Sequence, residues 1–150
     1  MKNTDLCQLI LSDHPRIEAA ISTGAAWELW FQVEFLMLLR AAKVSGAREV
    51  PYPAPNQALR LDILARHNLE NYAIELKVES ATNAGSKLLA ETQKDILKLA
   101  KYSDPVSARW AVALGYSAAA KQALQAFTGN NKDKVIYHQA GPMACMISTV

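Results

Sequence analysis

Between residues 25 and 43 nearly every position is apolar: Trp27, Leu29, Trp30, Phe31, Val33, Phe35, Leu36, Met37, Leu38 and Leu39 leave almost no polar face. This run predicts a helix from Ala25 to Lys43, and a helix apolar nearly all round is enclosed by its own protein or by a partner. Ser45-Gly46 ends it, and Arg48 to Pro53 reads as a short strand before the loop Pro53-Ala54-Pro55-Asn56. From Leu59 to Arg66 and from Asn71 to Glu79 the period changes to two, predicting a β-hairpin joined by the tight connection His67-Asn68-Leu69-Glu70. Leu88, Leu89, Ile96, Leu97, Leu99 and Ala100 recur at helical spacing over Gly85 to Tyr102, until Ser103-Asp104-Pro105 stops the helix. Trp110 to Tyr116 reads as a buried strand, Ala118 to Phe127 as a helix and Lys134 to Gln139 as a last strand. Upstream, the apolar positions of residues 6–22 around His14-Pro15 predict a short helix and a second one opening near the proline.

The resulting order, α-β-β-β-α-β-α-β behind an N-terminal helical cap, predicts an α/β fold with a mixed central sheet flanked by helices. With 150 residues and no repeat, low-complexity tract or linker, the chain reads as one domain. Its parts are a cap over about 1–24, a core over about 25–116 and a C-terminal helix and strand over about 117–150. A hydrophobic fraction of 51% excludes wholesale disorder, and a net charge of +2 is too small to argue nucleic-acid binding by itself. Cys7 and Cys145 lie near opposite ends without a CxxC pair, and His14, His67 and His138 are scattered, which gives a zinc site no support. No basic region precedes an apolar run and cleavage site, and no stretch reaches the length of a membrane span, so the expectation is a cytoplasmic protein unless a dedicated system exports it.

The chemistry lies in the hairpin. On its second strand Ile74, Leu76 and Val78 alternate with Glu75, Lys77 and Glu79, giving one apolar face and one with three charges. On the first, Leu61 and Ile63 alternate with Arg60 and Asp62. If residues 67–70 form the connection, 66 pairs with 71, and Asp62 falls opposite Glu75. Carboxylates directly across a ladder, with Cβ atoms about 4.5–5.5 Å apart, repel. A divalent cation between them removes the conflict, because Mg²⁺ takes one or two carboxylates and completes its shell with water and phosphate oxygens. Lys77, one strand step beyond, is placed to hold or deprotonate an attacking water or to neutralise charge on a phosphate. A solvated strand face carries the same three charges, and the spacing alone does not separate the two readings.

Leu59-Arg60-Leu61-Asp62-Ile63-Leu64 followed by Tyr72-Ala73-Ile74-Glu75-Leu76-Lys77 resembles the signature of the PD-(D/E)xK nuclease superfamily, and the element order over residues 25–116 is similar to that family's core. The resemblance implies a restriction-endonuclease-like or Holliday-junction-resolvase-like core and Mg²⁺- or Mn²⁺-dependent hydrolysis of DNA phosphodiester bonds. Asp62 and Glu75 would be the metal ligands and Lys77 the catalytic lysine; Leu61 stands where the name-giving proline would be. Restriction, repair or junction processing, and a DNA-degrading toxin or effector all fall within the family. The alternative is a catalytically inactive member serving as a DNA-binding or protein-interaction module.

Glu34 is the single charge within Trp30 to Leu39, and an unpaired buried carboxylate is costly enough to require a partner. Phe31-Gln32-Val33-Glu34-Phe35-Leu36 resembles the segment in which resolvase-like members place a glutamate beside the metal, which implies Glu34 as a third ligand. Pairing with Arg40 or exposure at a groove is the other reading. Glu28 fits a favourable charge at the helix N-terminus. On the helix over 85–102, Lys87, Glu91, Lys94, Lys98 and Lys101 form a solvated side, and Lys87, Lys94 and Lys98 are candidates to follow a DNA backbone. Gln93 shares a face with Leu89, Ile96 and Ala100, so it needs a hydrogen-bond partner, and by resemblance it is an auxiliary site candidate. The apolar first core helix also suits a homodimer or an unidentified protein partner, and a dimer would let a one-site chain cut both strands.

Overall fold

The computed structural model describes residues 1–24 and 27–150. The described residues form helices α1 (Asn3–Ser12), α2 (His14–Ser22), α3 (Trp27–Ala41), α4 (Ser86–Leu99) and α5 (Ala118–Asn130). Their strands are β1 (Ser45–Pro51), β2 (Arg60–His67), β3 (Glu70–Val78), β4 (Ala108–Gly115), β5 (Val135–Ala140) and β6 (Met143–Thr149). All six strands join one sheet in the order β1-β2-β3-β4-β6-β5. Only the β3–β4 pair is parallel, so the α/β fold with a mixed sheet between helices is the observed architecture.

The two faces follow from the strand alternation. Ile74, Leu76 and Val78 of β3 lie with Val112 and Leu114 of β4 in one core that also holds Leu6 and Ile10 of α1 and Phe31, Phe35 and Leu39 of α3. On the other face, Ala73, Ala111 and Ala113 leave room for α4 and α5, which bring Leu88, Leu99, Ala120 and Leu124. Small residues on the sheet let the helices approach closely. The N-terminal helix α1 packs against β5 and β6, so the first residues cover the last strands.

Several expected boundaries shift for identifiable reasons. The expected start of α3 at Ala25 lies outside the described residues. Its end is not set by Ser45-Gly46. Lys43 adopts φ of 61°, and the N–H groups of Val44 and Lys43 bond the carbonyls of Leu39 and Arg40, the paired bonds of a Schellman cap. Gly46 belongs to β1, where an added Cβ would stand 2.7 Å from Leu36 Cδ2, so the glycine lets strand and helix touch. α3 is also not enclosed all round: Leu29, Val33 and Met37 are 62%, 50% and 53% exposed. β6 lies outside the expected elements. Its run Met143-Ala144-Cys145-Met146-Ile147 is buried on both faces between β4 and β5, so it has no polar alternation to betray a strand.

The hairpin register is the expected one, with Arg66 opposite Asn71 and Ile63 opposite Ile74. The turn is shorter, because His67 and Glu70 already pair and only Asn68 and Leu69 connect them. Their φ values of 50° and 69° are those of a type I′ turn, whose twist matches that of the strands. Leucine in the left-handed region carries a steric cost, and here it is 86% exposed with no packing to offset that cost. Leu69→Gly is therefore expected to stabilise the protein by roughly 0.5–1 kcal/mol. Urea unfolding of the two proteins measures the difference, and a destabilised variant would contradict the turn assignment.

Candidate active site

The ladder between β2 and β3 stops at Ile63 and Ile74, although both strands continue in the direction of Asp62 and Glu75. On its other side, β2 pairs with β1 through Ile63–Arg48 and Leu61–Val50, and skips the position between them. Glu49, at that skipped position, has φ of 53°. Asp62 is thus unpaired in both ladders. Its Oδ2 accepts a hydrogen bond from the Leu76 N–H at 2.8 Å, a donor that a paired β2 would have met with a carbonyl. The carboxylate replaces the ladder at the point where the strands part.

Beyond Ile74 the side chains of β3 meet groups from α3, α4 and the segment after β1. Glu75, only 1% exposed, accepts from the Tyr52 hydroxyl at 2.9 Å on Oε1 and from Lys98 Nζ at 2.8 Å on Oε2. Tyr52 comes from the segment after β1 and is fixed by edge contact with the Tyr102 ring, with centroids 5.0 Å apart. Lys98 Nζ also lies 5.7 Å from the centroid of the Tyr52 ring. Lys77 Nζ lies 3.6 Å from Asp95 Oδ2 on α4 and 3.8 Å from Glu28 Oε1 on α3. Asp95 Oδ2 is buried without a hydrogen bond of its own.

Burial, reinforced by the Asp62 charge, raises the pKa of Glu75 to about 7 against the opposing pull of Lys98 and Tyr52. Burial likewise raises Asp95 to about 6, with Lys77 pulling the other way. Burial alone would lower the Lys77 pKa, but Asp95, Glu28 and Asp62 outweigh it and hold the ammonium above its usual value. Lys77 is therefore a firmly held cation in this arrangement.

Asp62 lies close enough to Glu75 and Lys77 for its charge to act on both, and with Glu75 1% exposed the strand face is not the wet one that the charges alone allowed. Glu34 is elsewhere: its carboxylate accepts from Arg16 of α2, with Arg16 Nε 3.0 Å from Oε1 and Nη2 3.0 Å from Oε2. The partner that its burial required is a guanidinium, and neither Arg40 nor the gap supplies it. Gln93 is exposed, because α4 turns Leu88, Thr92 and Leu99 inward instead. Lys87 and Lys94 remain on the outer surface, Lys94 in a 2.7 Å pair with Glu91, whereas Lys98 turns into the gap. Tyr52, Asp95 and Glu28 were not assigned to the site by the sequence reading, which placed Lys98 on a DNA backbone and not beside Glu75. For Asp95 and Lys98 a signal existed in their three-residue spacing, which puts both on one helix face; Tyr52, in a proline-rich loop, gave none.

Glu79, the third charge on the strand, has a different task. It accepts hydrogen bonds from the backbone N–H groups of Gly85, Tyr116 and Ser117 and from the Ser117 hydroxyl, joining the starts of α4 and α5 to the end of β3. Burial acts to raise its pKa, but these bonds, Ser117 first, hold it below the usual carboxylate value.

Among the described residues no group of three or more His, Cys, Asp or Glu side chains is placed to hold a metal ion. The oxygen donors of Asp62 and Glu75 fit a hard cation that keeps water and substrate oxygens in its remaining positions. Comparison with protein-family models, curated proteins and solved structures gives no match.

Two stability measurements test these assignments. Glu79→Ala leaves four donors without their acceptor and is expected to cost roughly 3 kcal/mol or more in urea unfolding; a loss within error of zero would remove its bracing role. For Glu75, the folded pKa of about 7 lies above the ordinary 4.5, so its contribution is fully present below pH 4.5 and is lost as the pH rises through 7. The stability of wild type relative to Glu75→Gln should therefore fall across that window, and a pH-independent difference would contradict the burial of an ionisable group there.

Proposed function

We propose that the chain is a metal-dependent nuclease of the PD-(D/E)xK kind, with a restriction-endonuclease-like core, that hydrolyses DNA phosphodiester bonds. The observation that carries this reading is the parting of β2 and β3 at Asp62, whose charge acts on both Glu75 and Lys77. A purely structural hairpin gains nothing from breaking its ladder to collect two carboxylates.

Asp62 and Glu75 would hold Mg²⁺ or Mn²⁺. Bound there, the cation supplies Lewis-acid polarisation of the scissile phosphate and a more acidic water. Lys77, kept protonated by its three acidic neighbours, is unsuited to take a proton from water and suited to stabilise the charge that builds on phosphate. Asp95 and Glu28 orient its ammonium. Lys87 and Lys94, on the outer side of α4, remain available for backbone phosphates.

One observation favours the inactive-module reading: both oxygens of Glu75 are engaged by protein groups. Plasmid cleavage with Mg²⁺, Mn²⁺ or EDTA, together with Lys77→Met, separates the two. Cleavage should require the divalent cation, and Lys77→Met should slow the single-turnover rate by roughly 10²-fold while DNA affinity changes little. Cleavage that survives exhaustive chelation, or a Lys77→Met protein as fast as wild type, would overturn the catalytic assignment; DNA binding without cleavage by wild type would favour the module.

A further inference from the structure

The two lysines at the gap are held differently. Lys77 has Asp95 and Glu28 as partners apart from the Asp62–Glu75 pair. For Lys98, the contacts are Glu75 Oε2 at 2.8 Å and the Tyr52 ring. Its ammonium thus neutralises an otherwise fully buried carboxylate, in the region where a cation shared with Asp62 would place its charge.

We propose that Lys98 is a resident counter-ion of the carboxylate pair, which leaves Glu75 for the α4 surface when a divalent cation binds. The inference rests on the nuclease reading above. Mg²⁺ binds carboxylate oxygen at about 2.0–2.1 Å, so an ammonium hydrogen-bonded to the same oxygen would face a doubly charged neighbour only a few ångströms away. At that separation like charges repel strongly even in a polarisable site. The group that yields is the one with a free route. Lys98 lies in the last turn of α4 with its side chain 27% exposed, next to Leu97, which is 69% exposed, so its flexible stem can swing outward into water. Lys77 has no such reason to move, because its other carboxylates remain.

The exchange keeps the buried pair neutralised in both states. Without metal, the ammonium compensates the charge of Glu75 beside Asp62. With metal, Lys98 is delivered to the rim of the opening, where a phosphate of bound DNA would meet it. Sodium or potassium lacks the second charge needed to displace a hydrogen-bonded ammonium.

Reductive methylation with formaldehyde and a borane, followed by peptide mass spectrometry, reads the exposure of each lysine in the wild-type protein. Lys94, exposed on the same helix, is the internal reference. Labelling of Lys98 relative to Lys94 should rise several-fold on addition of Mg²⁺ or Mn²⁺, while Lys77 stays protected. Calorimetry run in parallel should show Mn²⁺ binding roughly ten-fold or more tighter to Lys98→Gln than to wild type, with Lys98→Arg as the charge-retaining control. Metal binding with unchanged or reduced Lys98 labelling overturns the inference and leaves the nuclease reading standing. Absence of binding to wild type and Lys98→Gln alike overturns both. Binding to Lys98→Gln alone overturns the exchange, because the wild-type ammonium would then not yield to the cation.

Discussion

At Leu76 the sheet exchanges a backbone acceptor for a side chain, and the carboxylate that takes the N–H belongs to Asp62. That exchange lets β2 and β3 separate without leaving a buried donor unsatisfied, which would otherwise make the separation costly. The consequences extend in both directions along the strands. Toward the turn, Ile63 to His67 stay in register with Ile74 to Glu70. Beyond Ile63 the ladder ends, and Tyr52, Asp95, Lys98 and Glu28 converge on the side chains of β3 from segments far apart in sequence. Every functional proposal made for this chain depends on that parting of two strands.

Glu75 and Glu79 show how far environment outweighs residue type. They lie four residues apart, Glu75 in β3 and Glu79 just past its end, and are equally buried. Glu79 accepts from three backbone N–H groups and a hydroxyl, so its charged form is favoured and it acts as a brace between two helix starts. Burial and then the Asp62 charge push the pKa of Glu75 up, against the pull of Lys98 and Tyr52. The first is a structural brace, and the second is the carboxylate whose neutral form its surroundings favour.

α4 joins these two roles. Its outer side carries lysines in contact with solvent, and its inner side fills the sheet with Leu88, Thr92 and Leu99. Along the border between the two, Asp95 and Lys98 reach the opening, the acid steadying Lys77 and the base neutralising Glu75. The helix packs against both β3 and β4, so the parallel pair at the centre of the sheet provides a rigid floor for those side chains.

The sequence by itself determined the α/β class, the helices and strands with strong periodicity, the hairpin register from Ile63 to His67, and the common face of Glu75 and Lys77. These are local properties: a period of two or 3.6 residues and the parity of strand positions are written directly in the order of amino acids. It did not reveal β6, whose apolar run lacks alternation because both faces are buried, nor that Glu34 would be claimed by Arg16 and Gln93 turned to solvent. Small rotations of a helix decide such choices, and α3 and α4 are oriented by what they pack against. The break at Asp62, and the approach of Tyr52 and Lys98 to Glu75, were decided only by the tertiary structure, because a ladder ends where a side chain supplies a better-placed acceptor, and that requires strands, loop and helix to be assembled first.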